Sequence, residues 1–272
     1  MQYDPIKRSL GKVFNKSPFL RKTFYRLLDL LLLRSWHVRQ ELRNLKASGN
    51  VGSILDAGSG FGQYTYRMSS LFPQAQIKAV DIKPEQIEDC NRFFSQIGRS
   101  NRVMFGFADL TRFQENEAFD LILSIDVMEH IEEDEQVFRN FAVSLKKNGM
   151  LLISTPSDQG GSGTHDHDHE EGAQGFIDEH VRDGYNIGDI QEKLKRAGFS
   201  RVEARYSYGN PGKLSWKLSM KYPIRLLGVS KLFFVVLPFY YLLVFPVCAL
   251  LNRADVNGTH ASGTGLIVKA WK

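Results

Sequence analysis

Ile54-Leu55-Asp56-Ala57-Gly58-Ser59-Gly60-Phe61-Gly62 is an apolar run that ends in a carboxylate and then in three glycines at alternate positions. The apolar residues read as a strand, the glycines as a tight turn, and a helical pattern begins directly after them. Outward from this unit, further short apolar runs follow at 76–81, 102–107, 119–125 and 150–154, the first strand covering 53–56. Helical patterns fill the gaps at about 62–71, 84–97 and 132–146. Parallel neighbours need a crossover helix, so the alternation predicts a doubly wound, mostly parallel α/β sheet. Its ligand crevice is expected at the carboxyl ends of the strands. A helix at about 187–197, a strand at about 199–207 and a last strand at 265–271 bring the expected count to seven strands.

The chain has 272 residues, 43% of them hydrophobic and 24% charged. That balance supports a sizeable core and excludes disordered, collagen-like and coiled-coil classes. Its two cysteines, Cys90 and Cys248, lie far apart, so neither a disulfide framework nor a cysteine zinc site is expected, and a reducing, cytoplasmic setting fits. No cleavable leader is expected either, because the first apolar run, 27–33, is short and contains Asp29. The net charge of +5 is unevenly spread: residues 1–50 carry 11 Lys/Arg against 3 Asp/Glu, and residues 201–272 carry 10 against 2, so the centre is acidic. An acidic centre argues against a nucleic-acid groove. The basic ends suit an anionic membrane surface better.

Asp56 narrows the cofactor. It would repel a pyrophosphate at the glycine turn, whereas a ligand carrying an ammonium group is complementary to it. Here the chain resembles the class I S-adenosylmethionine-dependent methyltransferases, whose first motif is an acidic residue followed by Gly-x-Gly-x-Gly. Asp56, Gly58, Gly60 and Gly62 match it, with Ala57 and Ser59 between them. The resemblance implies S-adenosyl-L-methionine as cofactor and a Rossmann-like sheet. Asp81, 25 residues after Asp56, resembles the family's ribose-binding carboxylate, with Ile82 beside it; it also reads as a helix cap before Lys83-Pro84. Phe107-Ala108-Asp109-Leu110 resembles the adenine-binding segment, Asp109 accepting from the amino group. Phe119-Asp120-Leu121-Ile122-Leu123-Ser124 resembles the fourth-strand motif and adds Ser124 to the cofactor set. The resemblance covers about residues 51–205.

For the acceptor side, Ser124 to Ile131 resembles quinone-biosynthesis O-methyltransferases, many of which carry Glu-His where Glu129-His130 stand. His130 is the candidate base, because imidazole titrates near neutral pH; Glu129 and His130 also read as residues that merely shape a turn. A nucleobase methyltransferase would show an Asn/Asp-Pro-Pro-aromatic turn there, and none is present. Asp126, Glu129 and His130 form a weak candidate set for a hard cation, Asp126 being one methylene shorter than the Glu of metal-binding relatives; no metal is expected. The Gly-rich loop 156–183 is expected to cover the acceptor. Within it, 163–166 resembles the Gly-Thr-His-Asp of the same enzymes, the run 164–171 reads as solvated rather than metal-binding, and His180 is a further catalytic candidate.

Three regions are expected: a basic amphipathic helical cap at 1–50, a methyltransferase domain at 51–207 plus 264–272, and an apolar insertion at 208–263. The cap reads as one helix over 19–47. Within the insertion, 232–251 carries no charge over twenty residues, long enough to span a bilayer. A single crossing would strand the last strand on the wrong side, and Pro238 and Pro246 are expected to interrupt the helix. A monotopic or re-entrant insertion preceded by Lys213, Lys217, Lys221, Arg225 and Lys231 meets both constraints; a buried dimer or core segment is the alternative. The expected function is methyl transfer, as O-methylation, to a small or lipid-like acceptor by a protein peripheral or monotopic at the inner face of a membrane. The alternatives are a methyltransferase of membrane-assembled glycans and a non-catalytic cofactor-binding scaffold. The sequence leaves the oligomeric state open.

Overall fold

The computed structural model describes residues 17–160, 181–230 and 233–272. Seven strands, β1 (Ser53–Ala57), β2 (Gln76–Asp81), β3 (Val103–Phe107), β4 (Phe119–Ile125), β5 (Leu145–Pro156), β6 (Arg201–Ser207) and β7 (Gly265–Trp271), form one sheet in the order β3-β2-β1-β4-β5-β7-β6. β1 to β5 pair in parallel, and β7 enters antiparallel between β5 and β6. The doubly wound, mostly parallel sheet expected from the alternation is therefore present. β5 is longer than its apolar run, because it pairs past an irregularity in β4 between Phe119 and Leu121.

The crossover helices are α3 (Gln63–Leu71), α4 (Pro84–Gln96), α5 (Asp134–Ser144) and α6 (Ile187–Arg196), preceded by the cap helices α1 (Pro18–Leu31) and α2 (Leu33–Ser48). Local chemistry sets their ends. Asn186 caps α6 by accepting from the Gly188 and Asp189 N–H groups, and Lys193, Lys195 and Arg196 place positive charge at its last turn, where the helix dipole favours it. Strand residues alternate between two cores: Leu55, Ile122, Leu151 and Val268 pack with Phe138, Phe141 and Leu194 on one face. Ile54, Ile77, Leu123 and Ile267 pack with Val38, Leu42, Met68 and Phe94 on the other. Each such side chain contributes about 1.5–3 kcal/mol on burial.

The cap differs from the single helix expected over 19–47. It breaks at Leu32, whose backbone is extended. The turn is fixed by one distant and one local bond: the Arg34 N–H donates to the Tyr208 hydroxyl at 3.0 Å, and Trp36 Nε1 donates back across the break to the Leu30 carbonyl at 3.0 Å. The inward face of α1 carries Arg21, Tyr25 and Asp29, while Phe19 is 74% exposed and Leu27 is also exposed. Polar residues face inward because α1 lies over the glycine turn, whose Phe61 carbonyl accepts from both Arg21 (2.9 Å) and Tyr25 (2.5 Å).

Between β6 and β7 stands a helical hairpin. Its first arm is α7 (Asn210–Trp216), a π-helical turn (Lys217–Lys221) and α8 (Tyr222–Val229); its second is α9 (Phe233–Asn257). Contrary to the expected interruption, α9 runs through both Pro238 and Pro246. Both prolines sit on its exposed side, and each forgoes the bond to the carbonyl four residues back. The arms pair antiparallel. Tyr240 and Tyr241 donate to the Leu218 and Ser219 carbonyls at 2.7 Å, within the π-helical turn, where the wider winding presents carbonyls to a neighbour.

Asp255, fully buried near the end of α9, roots the hairpin. Its carboxylate accepts from His37 Nε2 on α2 (2.8 Å), the Tyr208 N–H (3.1 Å) and the Gly212 N–H (3.0 Å), and lies 3.3 Å from His260. Burial pushes this carboxyl up, but the bonds from His37 and its neighbours outweigh burial and hold it below its ordinary value. Burial likewise lowers His37, so its ring is neutral at pH 7 and donates through Nε2.

Candidate active site

The residues singled out around the glycine turn meet at the carboxyl ends of β1, β2 and β3. Gly58 and Ser59 donate their N–H groups to the Val80 carbonyl, both at 2.9 Å, which folds the turn back over β2. Asp81 ends β2; one carboxylate oxygen accepts from the Gly60 N–H at 2.7 Å and the other from the Lys83 N–H at 3.0 Å. It thus holds the glycine turn and bonds the Lys83 N–H, but the N-cap of α4 is Lys83 itself and no side chain caps the helix, so the helix-cap reading of Asp81 is not met. The Ala108 N–H reaches the Asp81 carbonyl at 3.2 Å, and Ile82 is exposed beside it. Asp109 is turned toward its own chain, accepting from the Thr111 N–H (2.9 Å) and hydroxyl (2.8 Å). Leu110 is buried, its carbonyl accepting from Asn140.

Asp56 lies beneath the turn, 3% exposed, accepting from the Thr65 hydroxyl at 2.5 Å. Burial raises its carboxyl to about 7, with the Thr65 bond acting in the opposite direction. Ser124 is fully buried in β4, and its hydroxyl, like that of Ser59, has no hydrogen-bond partner among the described residues.

On the acceptor side the candidates diverge. Glu129 is 1% exposed and accepts from the Thr155 hydroxyl at 3.1 Å, whereas His130, its neighbour on the short helical turn Met128–His130, is exposed. Asp126 forms an ion pair with Arg34 of the cap and adopts a left-handed backbone. With Asp126 taken by Arg34 and Glu129 by Thr155, the weak cation set is not assembled; among the described residues no three potential ligands cluster. His180 and the run 164–171 lie outside the described residues.

Sequence reasoning missed Arg34, Tyr64 and Tyr208. The Arg34 guanidinium reaches Asp126 and, at 3.3 Å, the Tyr64 hydroxyl, and the Arg34 N–H meets Tyr208. These residues join the cap, the first crossover helix and the hairpin base to the end of β4. Arg34 is one of many bases in a leucine-rich stretch, and nothing in its spacing sets it apart.

Residues 50–199 match the family model described as a methyltransferase domain, more than half of the chain. The chain belongs to this family. It is a class I S-adenosylmethionine-dependent methyltransferase, with S-adenosylmethionine as its cofactor. It is 36% identical over 104 residues to the malonyl-[acyl-carrier protein] O-methyltransferase of Bacillus anthracis, a match covering 38% of this chain and 36% of that protein. It is 30% identical over 176 residues to phosphoethanolamine N-methyltransferase 1 of Arabidopsis thaliana, covering 60% of this chain and 31% of that one. The matches thus span about a third of these curated relatives. Haemonchus contortus phosphoethanolamine N-methyltransferase 2, solved in complex with S-adenosyl-L-methionine, superposes with a TM-score of 0.56 at 18% identity, covering 92% of this chain and 60% of that one. An S-adenosylmethionine-dependent methyltransferase from Mesorhizobium loti gives 0.52 at 18% identity over 88% of this chain and 100% of that one. These two likenesses show the fold alone.

The residues of the methyltransferase fit its cofactor. The glycine turn is a cradle that side chains would fill, since a Cβ on Gly58 would lie 2.3 Å from Val127 Cγ2. Two buried serine hydroxyls await a partner, and a buried carboxylate stands ready for an ammonium group. Held as the sequence resemblance implies, the cofactor would place its ribose hydroxyls at Asp81 and its cationic end toward Asp56. Replacing Asp81 with Ala should weaken S-adenosylmethionine binding about 100-fold, as expected for losing hydrogen bonds to a charged group; calorimetric titration showing unchanged affinity would remove the assignment. Because a cation favours the ionised carboxylate, donor affinity should rise as pH climbs toward about 7 and then level off. The folded protein without donor holds the Asp56 proton to higher pH than the unfolded chain, so its stability falls over the same window. The Asp56→Asn variant should lose both slopes, which binding and melting curves at several pH values can read.

Proposed function

We propose that the methyltransferase transfers a methyl group to an oxygen of a small or lipid-like acceptor at an anionic membrane surface, on its cytoplasmic face. The observation that carries this reading is the apolar face of α9, exposed along the helix from Val235 to Leu250 and rooted through Asp255 in the cap. A monomer seldom leaves so long an apolar stripe in water without a partner for it. The flanking Lys213, Lys217, Lys221 and Arg225 supply the second, electrostatic signal that stable attachment to anionic lipid needs. The hairpin base also touches the acceptor side, since Tyr208 holds Arg34 and Arg34 holds Asp126.

When bound, S-adenosylmethionine supplies a methyl group already activated on a sulfonium, so the protein's share is positioning and exclusion of water. α1 closes over the glycine turn through Arg21 and Tyr25. Arg34 neutralises Asp126 at the end of β4. His130, on the turn after β4, is assigned the proton of the acceptor hydroxyl. The relatives that methylate malonyl-[acyl-carrier protein] and phosphoethanolamine support a small, polar-headed acceptor group.

Purified protein incubated with methyl-labelled S-adenosylmethionine and a detergent extract of the source cells is then partitioned between organic and aqueous phases. The proposal expects label in the organic phase. Label confined to the aqueous phase would favour a glycan acceptor, and no transfer at all would favour a scaffold.

A further inference from the structure

Resting on the membrane reading above, we infer that the hairpin lies flat in the interface of one leaflet, with α9 parallel to the membrane plane, rather than dipping end-on into the bilayer. The exposed large apolar residues of α9 are Val235, Val236, Phe239, Leu242, Leu243, Val247 and Leu250. At 100° per residue they fall within one half of the helix surface, and they continue along about 22 Å of its axis. The stripe is equally bare at both ends: Val235 is 70% and Leu250 72% exposed. Arg253, also exposed and in the same angular sector, closes it.

The first arm decides the orientation. Hydrogen bonds pair Gly212 with Asp255, Ser215 with Asn252 and Ser219 with Tyr241. Extending this antiparallel register from Ser219–Tyr241 brings Lys221 level with about Phe239 and Arg225 level with about Val235, near the N-terminal end of α9 and the tip of the hairpin. Lys213, Lys217, Lys221 and Arg225 recur every four residues, so they form one stripe along the arm. End-on insertion to the depth of the apolar stripe would carry Arg225 about 20 Å down, past the midplane of a hydrocarbon core about 30 Å thick. Charge at that depth is strongly disfavoured. A crossing helix is excluded on separate grounds. Cys248, Asn252 and Asp255 of α9 are buried in protein, and β7 returns to the same sheet as β5. Lying flat satisfies every constraint: the apolar stripe enters the acyl boundary, and all four bases remain at headgroup depth.

The test uses the full chain carrying one nitroxide at a time on Val235→Cys, Leu243→Cys or Leu250→Cys; the native Cys90 and Cys248 are buried. Vesicles of phosphatidylglycerol and phosphatidylcholine serve as the probe, and collision with oxygen against a water-soluble nickel complex reads depth. The inference expects all three labels at one depth, about 5–10 Å below the headgroups. A gradient of about 20 Å from position 250 down to 235 would overturn the flat orientation while leaving membrane binding intact. Labels that stay in water would overturn the orientation and the membrane reading together. Spin–spin broadening without lipid contact would assign the stripe to a second copy of the chain and overturn both as well.

Discussion

Replacing Gly58 with alanine is expected to abolish measurable donor binding and to destabilise the fold by about 2–5 kcal/mol. Two costs add. The backbone at Gly58 is left-handed, with φ of 80°, which costs an ordinary residue about 1–2 kcal/mol. The added Cβ would also stand 2.3 Å from Val127 Cγ2, an overlap that costs about 1–3 kcal/mol to relieve. Gly60 separates these terms, because its φ is also positive while the nearest obstacle to a Cβ, the Gln86 side-chain oxygen, is 3.7 Å away. Gly60→Ala should therefore show only the backbone cost. Pairing Gly58→Ala with Val127→Gly should recover the packing share of the loss but not the strain. Melting curves and donor titration of the three variants give the ranking; equal effects at 58 and 60 would mean that Val127 does not limit the turn.

Replacing Asp255 with alanine is expected to cost about 3–5 kcal/mol, the range for breaking a buried polar cluster that holds a charge. In a chain of this size that lowers Tm by about 10 °C. The His37 ring and the N–H groups of Tyr208 and Gly212 would be left buried without their acceptor. Because the cluster joins α2, the hairpin base and α9, the hairpin should become susceptible to proteolysis before the sheet unfolds. The wild-type pH dependence has a definite sign. Asp255 contributes stability that is lost as pH falls through its depressed value, and neutral His37 contributes stability that is lost as pH falls below about 6.5. Both act in the same direction, so the hairpin should loosen in acid. An Asp255→Ala protein that melts like wild type would show that the hairpin is held by packing alone.

The sheet and the cofactor turn were legible in the sequence because their causes are local. Alternating strand and helix periods, the glycines at 58, 60 and 62 and the carboxylate at Asp81 act through backbone geometry within a few residues. The acceptor side was legible only in part. Leu32 lies within an unbroken leucine run, and the bond that fixes the chain there comes from Tyr208, 174 residues from Arg34. Arg21 and Tyr25 face inward despite the leucines beside them because the Phe61 carbonyl of a distant turn takes their donors, and Asp29 because it accepts from Gln63 and Arg67 of α3. Pro238 and Pro246 suggested a broken helix by a local rule, but α9 continues through both, and both stand on its exposed face. His37 and Asp255 pair across 218 positions of the chain.

The account joins methyl transfer to contact between α9 and lipid. Its most direct test compares wild type with a Phe239→Asp, Leu243→Asp double variant, both of whose sites are exposed and away from the cofactor turn. Transfer from methyl-labelled S-adenosylmethionine is measured on vesicles of total lipid extract and on the same extract dispersed in detergent. The account predicts that the variant loses transfer on vesicles, keeps it in detergent, and binds S-adenosylmethionine as wild type does. Equal transfer by both proteins on vesicles would contradict it.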